Sequence, residues 1–273
     1  MQTLNEDPLL RAGIGSIASF VREGAFGTFT HQRELPDVHH QTVVRMSRDT
    51  LCSAGVFDLE AGAVTVRLPD TQGRFMSLLA INEKHQPLAA FHDSEPHRLT
   101  RKDAGTRHLF LIARTYIDPS NAADLEVVHA LQDGIRARQE ASERFERSSM
   151  PRGWRDHLIR DVASIEVQPP ANDGRTIHRM TVREVPVDGF WSVSVYNRDG
   201  FFEPNPRGAY SIDSLAAKRD SSGTCVIQFG GCGEGVENCL PITPGWNYVV
   251  RLYRPRAEAL DGRWSFPDAQ PVH

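Results

Sequence analysis

The chain is poor in the features that usually announce a function. It has four cysteines in 273 residues, too few for a disulfide-built scaffold. None of them stands in a C-x-x-C pair of the kind that marks a zinc knuckle or a thioredoxin-like centre. Positive charge is not in excess: 31 Lys and Arg against 35 Asp and Glu leave a net charge of −4, so no global field draws in nucleic acid or an anionic membrane. No apolar run approaches the roughly 20 residues that cross a bilayer. A G-x-S-x-G elbow, a Walker A loop and an H-E-x-x-H helix are all missing. At the N-terminus no basic start precedes an apolar run, and Asn5, Glu6 and Asp7 would interrupt a signal sequence. The expectation is a cytoplasmic protein with no targeting segment.

What is present suits ordinary folded domains, with 40% hydrophobic and 24% charged residues. Leu9, Leu10, Ile14, Ile17 and Val21 recur at helical spacing and end at Gly24 and Gly27, which predicts an N-terminal helix. Strand-like runs follow: VVRMSRDT, GVFDL, AVTVRLPD, RFMSLLAINE and HLFLIARTYI. Asp118 to Asn121 then read as the cap of a long helix with an acidic first turn at Asp124 and an apolar stripe of Leu125, Val128, Leu131 and Ile135. The charged continuation RARQEASERFERSSMPRG reads as a solvated helix end fraying into a linker. A second set of runs, ASIEVQ, TIHRMTVRE, FWSVSVYN, GTCVIQFG and NYVVRLYRP, is punctuated by strong turns such as Asn172-Asp173-Gly174 and Thr243-Pro244-Gly245. The expected fold is mainly β with peripheral helices (α+β). It has two β-sandwich or jelly-roll-like modules joined by a helical segment: 1–147, a linker at 148–161, and 162–273.

The stretch GGCGEGVENCLPITPGWNYVVRLYRPR, from Gly230 to Arg256, invites several readings. Its glycines follow a strand, but Pro241 and Pro244 leave no helix to present an N-terminus to a phosphate, which argues against dinucleotide binding. Cys232 and Cys239 are open to being free thiols, a small disulfide loop or a redox or metal pair. A cytosolic setting favours thiols, and zinc lacks two further ligands. Trp246, Tyr248, Val250 and Leu252 should line one strand face. Histidines are scattered: His39 and His40 would point to opposite faces of a strand, and His85, His92 and His97 would converge only if their loop folds back. No metal and no cofactor is expected.

Two segments, FTHQRELPDVHHQTVVRMSRDTLCSAGVFDL and VPVDGFWSVSVYNRDGFFEPNPRGAYSIDS, together with the run from Asn238 to Arg256, resemble the bacterial DUF1254/DUF1214 proteins. In the first region Phe29, His31, Arg33, Gln41, Arg45, Met46, Arg48, Asp49, Thr50, Leu51, Ser53 and Asp58 fit the family pattern. In the second, Asp188 through Trp191, Tyr196, Asn197, Asn205 and Tyr210 fit it. Cys52 stands where the family usually has tyrosine and Ser47 where it has asparagine, and the middle region is shorter than usual. The resemblance implies two β-rich modules with helices around them and brings no agreed activity.

The first motif concentrates Arg45, Arg48, Asp49, Ser53 and Asp58 in one short segment. Read as a strand, it puts Arg45, Ser47 and Asp49 on one face. One reading is a buried ion-pair network in which Arg45 or Arg48 grips Asp49 or Asp58. The other is a polar pocket in which a guanidinium binds a substrate carboxylate and Asp49 serves as base or orienter. Ser53 or Cys52 beside His31 and Asp49 would supply a nucleophile, so Asp49, Ser53 and His31 are the candidate catalytic residues. Arg45, Arg48, Tyr196, Asn197, Asn205, Tyr210, Trp246 and Arg251 are the candidate substrate-binding residues, although Trp191 suits a core and Asn197-Arg198-Asp199-Gly200 a hairpin turn. The expected function is a hydrolase-like enzyme acting on a small polar or acyl substrate in a cleft between the modules. The alternative is a non-catalytic small-ligand or carbohydrate-binding protein. The expected partners are a small-molecule ligand and, in a homodimer, a second copy of the chain.

Overall fold

The computed structural model describes residues 3–5, 21, 23–41, 43–140 and 161–272. The predicted N-terminal helix, apart from Val21, and the predicted linker up to residue 160 lie outside the described residues. In chain order the strands begin with β1 Thr3–Asn5, β2 Phe29–His31, β3 Thr50–Asp58, β4 Val64–Arg67, β5 Met76–Asn82, β6 Pro87–Phe91, β7 His97–Leu99, β8 His108–Tyr116 and β9 Arg136–Gln139. They continue with β10 Val162–Val167, β11 His178–Val182, β12 Trp191–Tyr196, β13 Ser211–Asp213, β14 Cys225–Phe229, β15 Cys239–Leu240, β16 Asn247–Tyr253 and β17 Gln270–Pro271. Three helices are described: α1 Arg101–Ala104, α2 Asp124–Gly134 and α3 Ala257–Leu260.

The chain divides into two compact units. The N-terminal unit is Leu9–Leu35 with Thr50–Asp161, and the C-terminal unit is Met1–Pro8 and Pro36–Asp49 with Val162–His273. The segment Pro36–Asp49, read from sequence as part of the first module, therefore belongs with the second.

In the N-terminal unit a five-stranded sheet, ordered β2-β3-β8-β5-β6, faces a three-stranded sheet, β7-β4-β9, and all of the strand pairs are antiparallel. Phe57, Leu78, Leu109 and Leu111 from the larger sheet meet Val64, Val66 and Leu99 from the smaller. The opposite face of the larger sheet is buried too, under Ala54, Val56, Leu79 and Phe110. Burial on both faces explains why β3, β5 and β8 read as continuous apolar runs rather than alternating ones. α1 opens with a capping box, Thr100 and Asp103 each accepting from the other's backbone N–H.

Two expectations for this unit need correcting. α2 starts at Asp124 with Ala123, not Asp118–Asn121, at its cap position, because Asp118 turns its carboxylate onto Ser120 and Asn121 closes a turn before the helix. The charged run after Ile135 does not continue as helix: Arg136–Gln139 is β9 and pairs antiparallel with β4. Helix-forming side chains there lose to the backbone pairing that the free edge of β4 offers.

The C-terminal unit is a sandwich. A five-stranded sheet, β1-β10-β16-β12-β13, faces a four-stranded one, β15-β14-β11-β17, and only the β14–β15 pair is parallel. Between them lies an apolar core in which Trp191, Val193, Trp246, Tyr248, Val250 and Leu252 meet Met180, Ile227 and Phe229. The predicted apolar face of β16 is thus the core face. Alternation sends Val249, Arg251 and Tyr253 to the other side, alongside Ser192, Ser194 and Tyr196 of β12, all of them buried. That second, polar face carries the segment Pro36–Asp49.

Candidate functional site

Residues 43–49 do not form a strand, which corrects the expected shared face of Arg45, Ser47 and Asp49. Arg45 has a φ of 54°, in the left-handed region that a non-glycine residue rarely adopts. This breaks the two-residue alternation. Arg45 is held there from both sides. Its N–H donates to Gly200 O at 2.7 Å, and its carbonyl accepts from the Arg251 guanidinium at 2.5 Å. Gln41 anchors the same segment by donating to Phe202 O and accepting from Phe202 N–H, both at 2.8 Å.

Below Arg45 the polar face is closed. Asp49 is 1% exposed, and its Oδ2 accepts hydroxyl bonds from Ser192 at 2.5 Å, Ser47 at 2.9 Å and Tyr253 at 3.0 Å. Arg251 is equally buried, donating to Ser194 Oγ at 3.2 Å and Tyr196 Oη at 3.0 Å as well as to Arg45 O. Tyr196 in turn donates to Met46 O at 2.7 Å. Burial pushes the Tyr196 phenol above its ordinary range, against the pull of Arg251. One buried cation and one buried carboxylate share a hydroxyl-lined layer, the arrangement by which a protein interior tolerates charge.

The remaining candidates take separate places. Arg48 reaches Pro36 O and lies over the Tyr210 ring, 5.4 Å from its centroid. Burial draws its pKa below the usual arginine value, partly offset by Tyr210, Asp37 and Asp49. Tyr210 closes an aromatic group with Phe202 and Tyr196. Asn197 builds a tight turn, accepting from Asp199 N and Phe201 N, and β13 begins only at Ser211. Asn205 bonds Glu203 O and Ala209 and so closes its own loop. Trp246 is core, stacked with Phe229. Arg45 and Arg48 do not grip Asp49 or Asp58. Arg45 pairs with Glu166 at 2.8 Å, and Asp58 takes Arg107 in the N-terminal unit.

Of the catalytic candidates, His31 and Ser53 are brought together in the N-terminal unit, with His31 Nδ1 2.8 Å from Ser53 Oγ. Burial, with Arg33 nearby, lowers the His31 pKa. Ser53 is fully buried. Asp49 belongs to the C-terminal unit. Cys52 lies in an apolar cluster with Ala54 and Val56. Cys232 and Cys239, whose state the sequence left open, form a disulfide. Among the described residues no group of three His, Cys, Asp or Glu is placed to hold a metal ion. No described helix is long and apolar enough to cross a membrane.

The C-terminal unit carries a solvent-open cleft of about 480 Å³. It is lined by Arg45, Glu166, Val167, Gln168, Asn172, Arg198, Gly245 and Asn247. Asn172 is fixed by donating to Trp246 O at 3.1 Å and by accepting Gly245 N–H at 2.7 Å. Asn247 donates to Asn197 O at 2.7 Å. The sequence pointed to Arg45 but not to Arg198, Asn172, Glu166, Gln168 or Asn247. The alternation of β16 offered a signal for Asn247, which shares the parity of Arg251.

These features define a two-unit, β-sandwich-rich protein whose polar surface cleft is built by one unit. Residues 26–97 match a family described as a protein of unknown function, DUF1254, and residues 168–257 match another so described, DUF1214. The chain belongs to the family that carries these two regions. Its fold is similar to that of the VPA0106 protein from Vibrio parahaemolyticus, with a TM-score of 0.70 at 15% identity over 84% of this chain and 90% of that one. It is also similar to a putative uncharacterized protein from Burkholderia cenocepacia, with a TM-score of 0.60 at 12% identity over 98% and 90%. No curated protein matches the chain.

Proposed function

We propose that the chain is a non-catalytic small-ligand-binding protein whose site is the polar cleft of the C-terminal unit. The observation that carries the reading is that both family regions contribute to one opening: Arg45 from the first, Gly245 and Asn247 from the second. Arg45 is held there in a rarely populated backbone conformation by a buried arginine. Strain of this kind persists only where the surroundings enforce it, and it clusters at binding sites. The lining is mainly polar, with Val167 as an apolar member, which suits a small polar ligand rather than a fatty acyl chain.

A hydrolase-like reading draws on one contact, the His31–Ser53 pair. The burial of Ser53 and the engagement of Asp49 Oδ2 by three hydroxyls weigh against it.

A thermal-shift screen of small polar molecules tests the proposal. Binders should raise the melting temperature of the wild type and lose that effect in Arg45→Ala. Ester hydrolysis that vanishes in Ser53→Ala, with no polar binder found, would replace this reading with the hydrolytic one.

A further inference from the structure

We infer that the cleft takes an open-chain polyhydroxy monocarboxylate, with the Arg198 guanidinium as the carboxylate's partner. The inference rests on the binding reading above and names its ligand class.

Arg198 is the group whose chemistry is unused. Among the described residues its side chain makes no hydrogen bond or ion pair, whereas Arg45 is paired with Glu166 and the amides of Asn172 and Asn247 donate to backbone carbonyls. Its place is nevertheless built. The turn closed by Asn197 fixes its backbone, and its side chain runs across Gly245. A Cβ at Gly245 would meet Arg198 Nε at 2.8 Å and Arg198 Cβ at 2.9 Å, and the φ of +83° there favours glycine as well. The glycine after Pro244 thus keeps open the surface on which the guanidinium lies.

Charge sets the number of acidic groups on the ligand. Glu166 neutralises Arg45 at 2.8 Å, so Arg198 leaves the cleft one uncompensated positive charge on a chain whose net charge is −4. A monocarboxylate matches that charge, and a guanidinium presents its donors in the fork a carboxylate accepts.

The other walls set the rest of the molecule. Gln168, Asn172 and Asn247 supply amides, which both donate and accept, as hydroxyl groups do. Asn247 is only 7% exposed, and its Oδ1 is buried without a hydrogen-bond partner among the described residues, an acceptor in want of an O–H or N–H. Among the described residues no aromatic side chain borders the cleft, so those residues offer a sugar ring no platform for its apolar face. An open-chain acid needs none, and about 480 Å³ holds a hexose-sized acid with attendant water.

Isothermal titration calorimetry on the full chain decides the matter with three probes: gluconate, the neutral polyol glucitol, and hexanoate, which keeps the carboxylate but lacks the hydroxyls. Gluconate should bind, and the other two should bind at least about tenfold more weakly. Arg198→Ala should weaken gluconate binding by a similar factor with an unchanged melting temperature, since the side chain holds nothing else. Arg198→Lys should recover part of the loss. Equal binding of glucitol and gluconate, equal binding of hexanoate and gluconate, or unchanged gluconate binding in Arg198→Ala would overturn the ligand class while leaving small-ligand binding intact. Absence of heat with every probe, followed by no hit in the wider thermal-shift screen, would overturn both.

Discussion

The guanidinium of Arg251 donates to the carbonyl oxygen of Arg45 at 2.5 Å, so a buried arginine on β16 holds an accessible one in a left-handed backbone. Arg251 fits the role of a positioning residue better than that of a ligand contact, because it is 1% exposed. Arg251→Met should therefore destabilise strongly. It strands Arg45 O, Ser194 Oγ and Tyr196 Oη and removes the buried cation from the layer that holds Asp49, a loss of about 3–5 kcal/mol for one side of a buried charged network. Arg251→Lys keeps the charge but not the fork, and should fall between the wild type and the methionine variant. Urea unfolding of the three proteins checks the order, and equal stability of Arg251→Met and wild type would remove the positioning role.

Asp49 accepts three hydroxyl bonds on one oxygen and belongs to that layer, not to the cleft. Asp49→Asn keeps the volume but weakens charge-assisted bonds, each worth about 1.5–3 kcal/mol. The expected result is a clear loss of stability, with ligand affinity retained in the folded fraction. A variant that melts like the wild type but no longer binds would place Asp49 in the binding machinery instead.

The disulfide between Cys232 and Cys239 closes a loop with a sequence separation of 7. Arg207 braces the same loop by donating to Cys232 O at 3.3 Å and Gly233 O at 3.1 Å. By the loop-entropy estimate, replacing both cysteines with serine should cost about 2–4 kcal/mol. A reductant should lower the wild-type melting temperature and leave the double-serine variant where it is. If reductant shifts both proteins alike, the effect lies elsewhere.

Much of the architecture was legible because its signals were redundant. The core face of β16 could be read from Trp246, Tyr248, Val250 and Leu252, since period-two burial and strong bounding turns agreed. The segment 43–49 misled for a physical reason. Val44, Met46 and Arg48 alternate with Arg45, Ser47 and Asp49 as a strand would, but the left-handed Arg45 and its bonds to Gly200 and Arg251 override local pattern with tertiary contacts. Arg136–Gln139 misled similarly, as its helix-favouring side chains pair with β4. Arg198 and Asn172 were hidden because each sits in a strong turn signal. A turn residue that also lines a cleft looks, in one sequence, like any other turn residue.

Acid should weaken the protein in two stages with different owners. Burial holds the His31 pKa below 6.5. As the pH falls the unfolded chain therefore takes up that proton before the folded one does. Stability is full above about 6.5 and declines below it. At Asp124 burial works against ionisation, but Arg74, at 2.8 and 2.5 Å, and the backbone N–H of Asp118 outweigh it and hold the carboxyl below the usual range. There too the unfolded chain is protonated first, but only near the ordinary carboxyl value of 3.8. That contribution is intact above about pH 4 and lost below it. Unfolding free energies measured in urea from about pH 8 to about pH 3.5 should show both declines. His31→Gln should flatten the upper stage and leave the lower one. Asp124→Asn should start less stable, since it gives up the paired charge on Arg74, and should lose part of the lower stage only. An upper decline that is as steep in His31→Gln as in the wild type would assign that stage to another histidine.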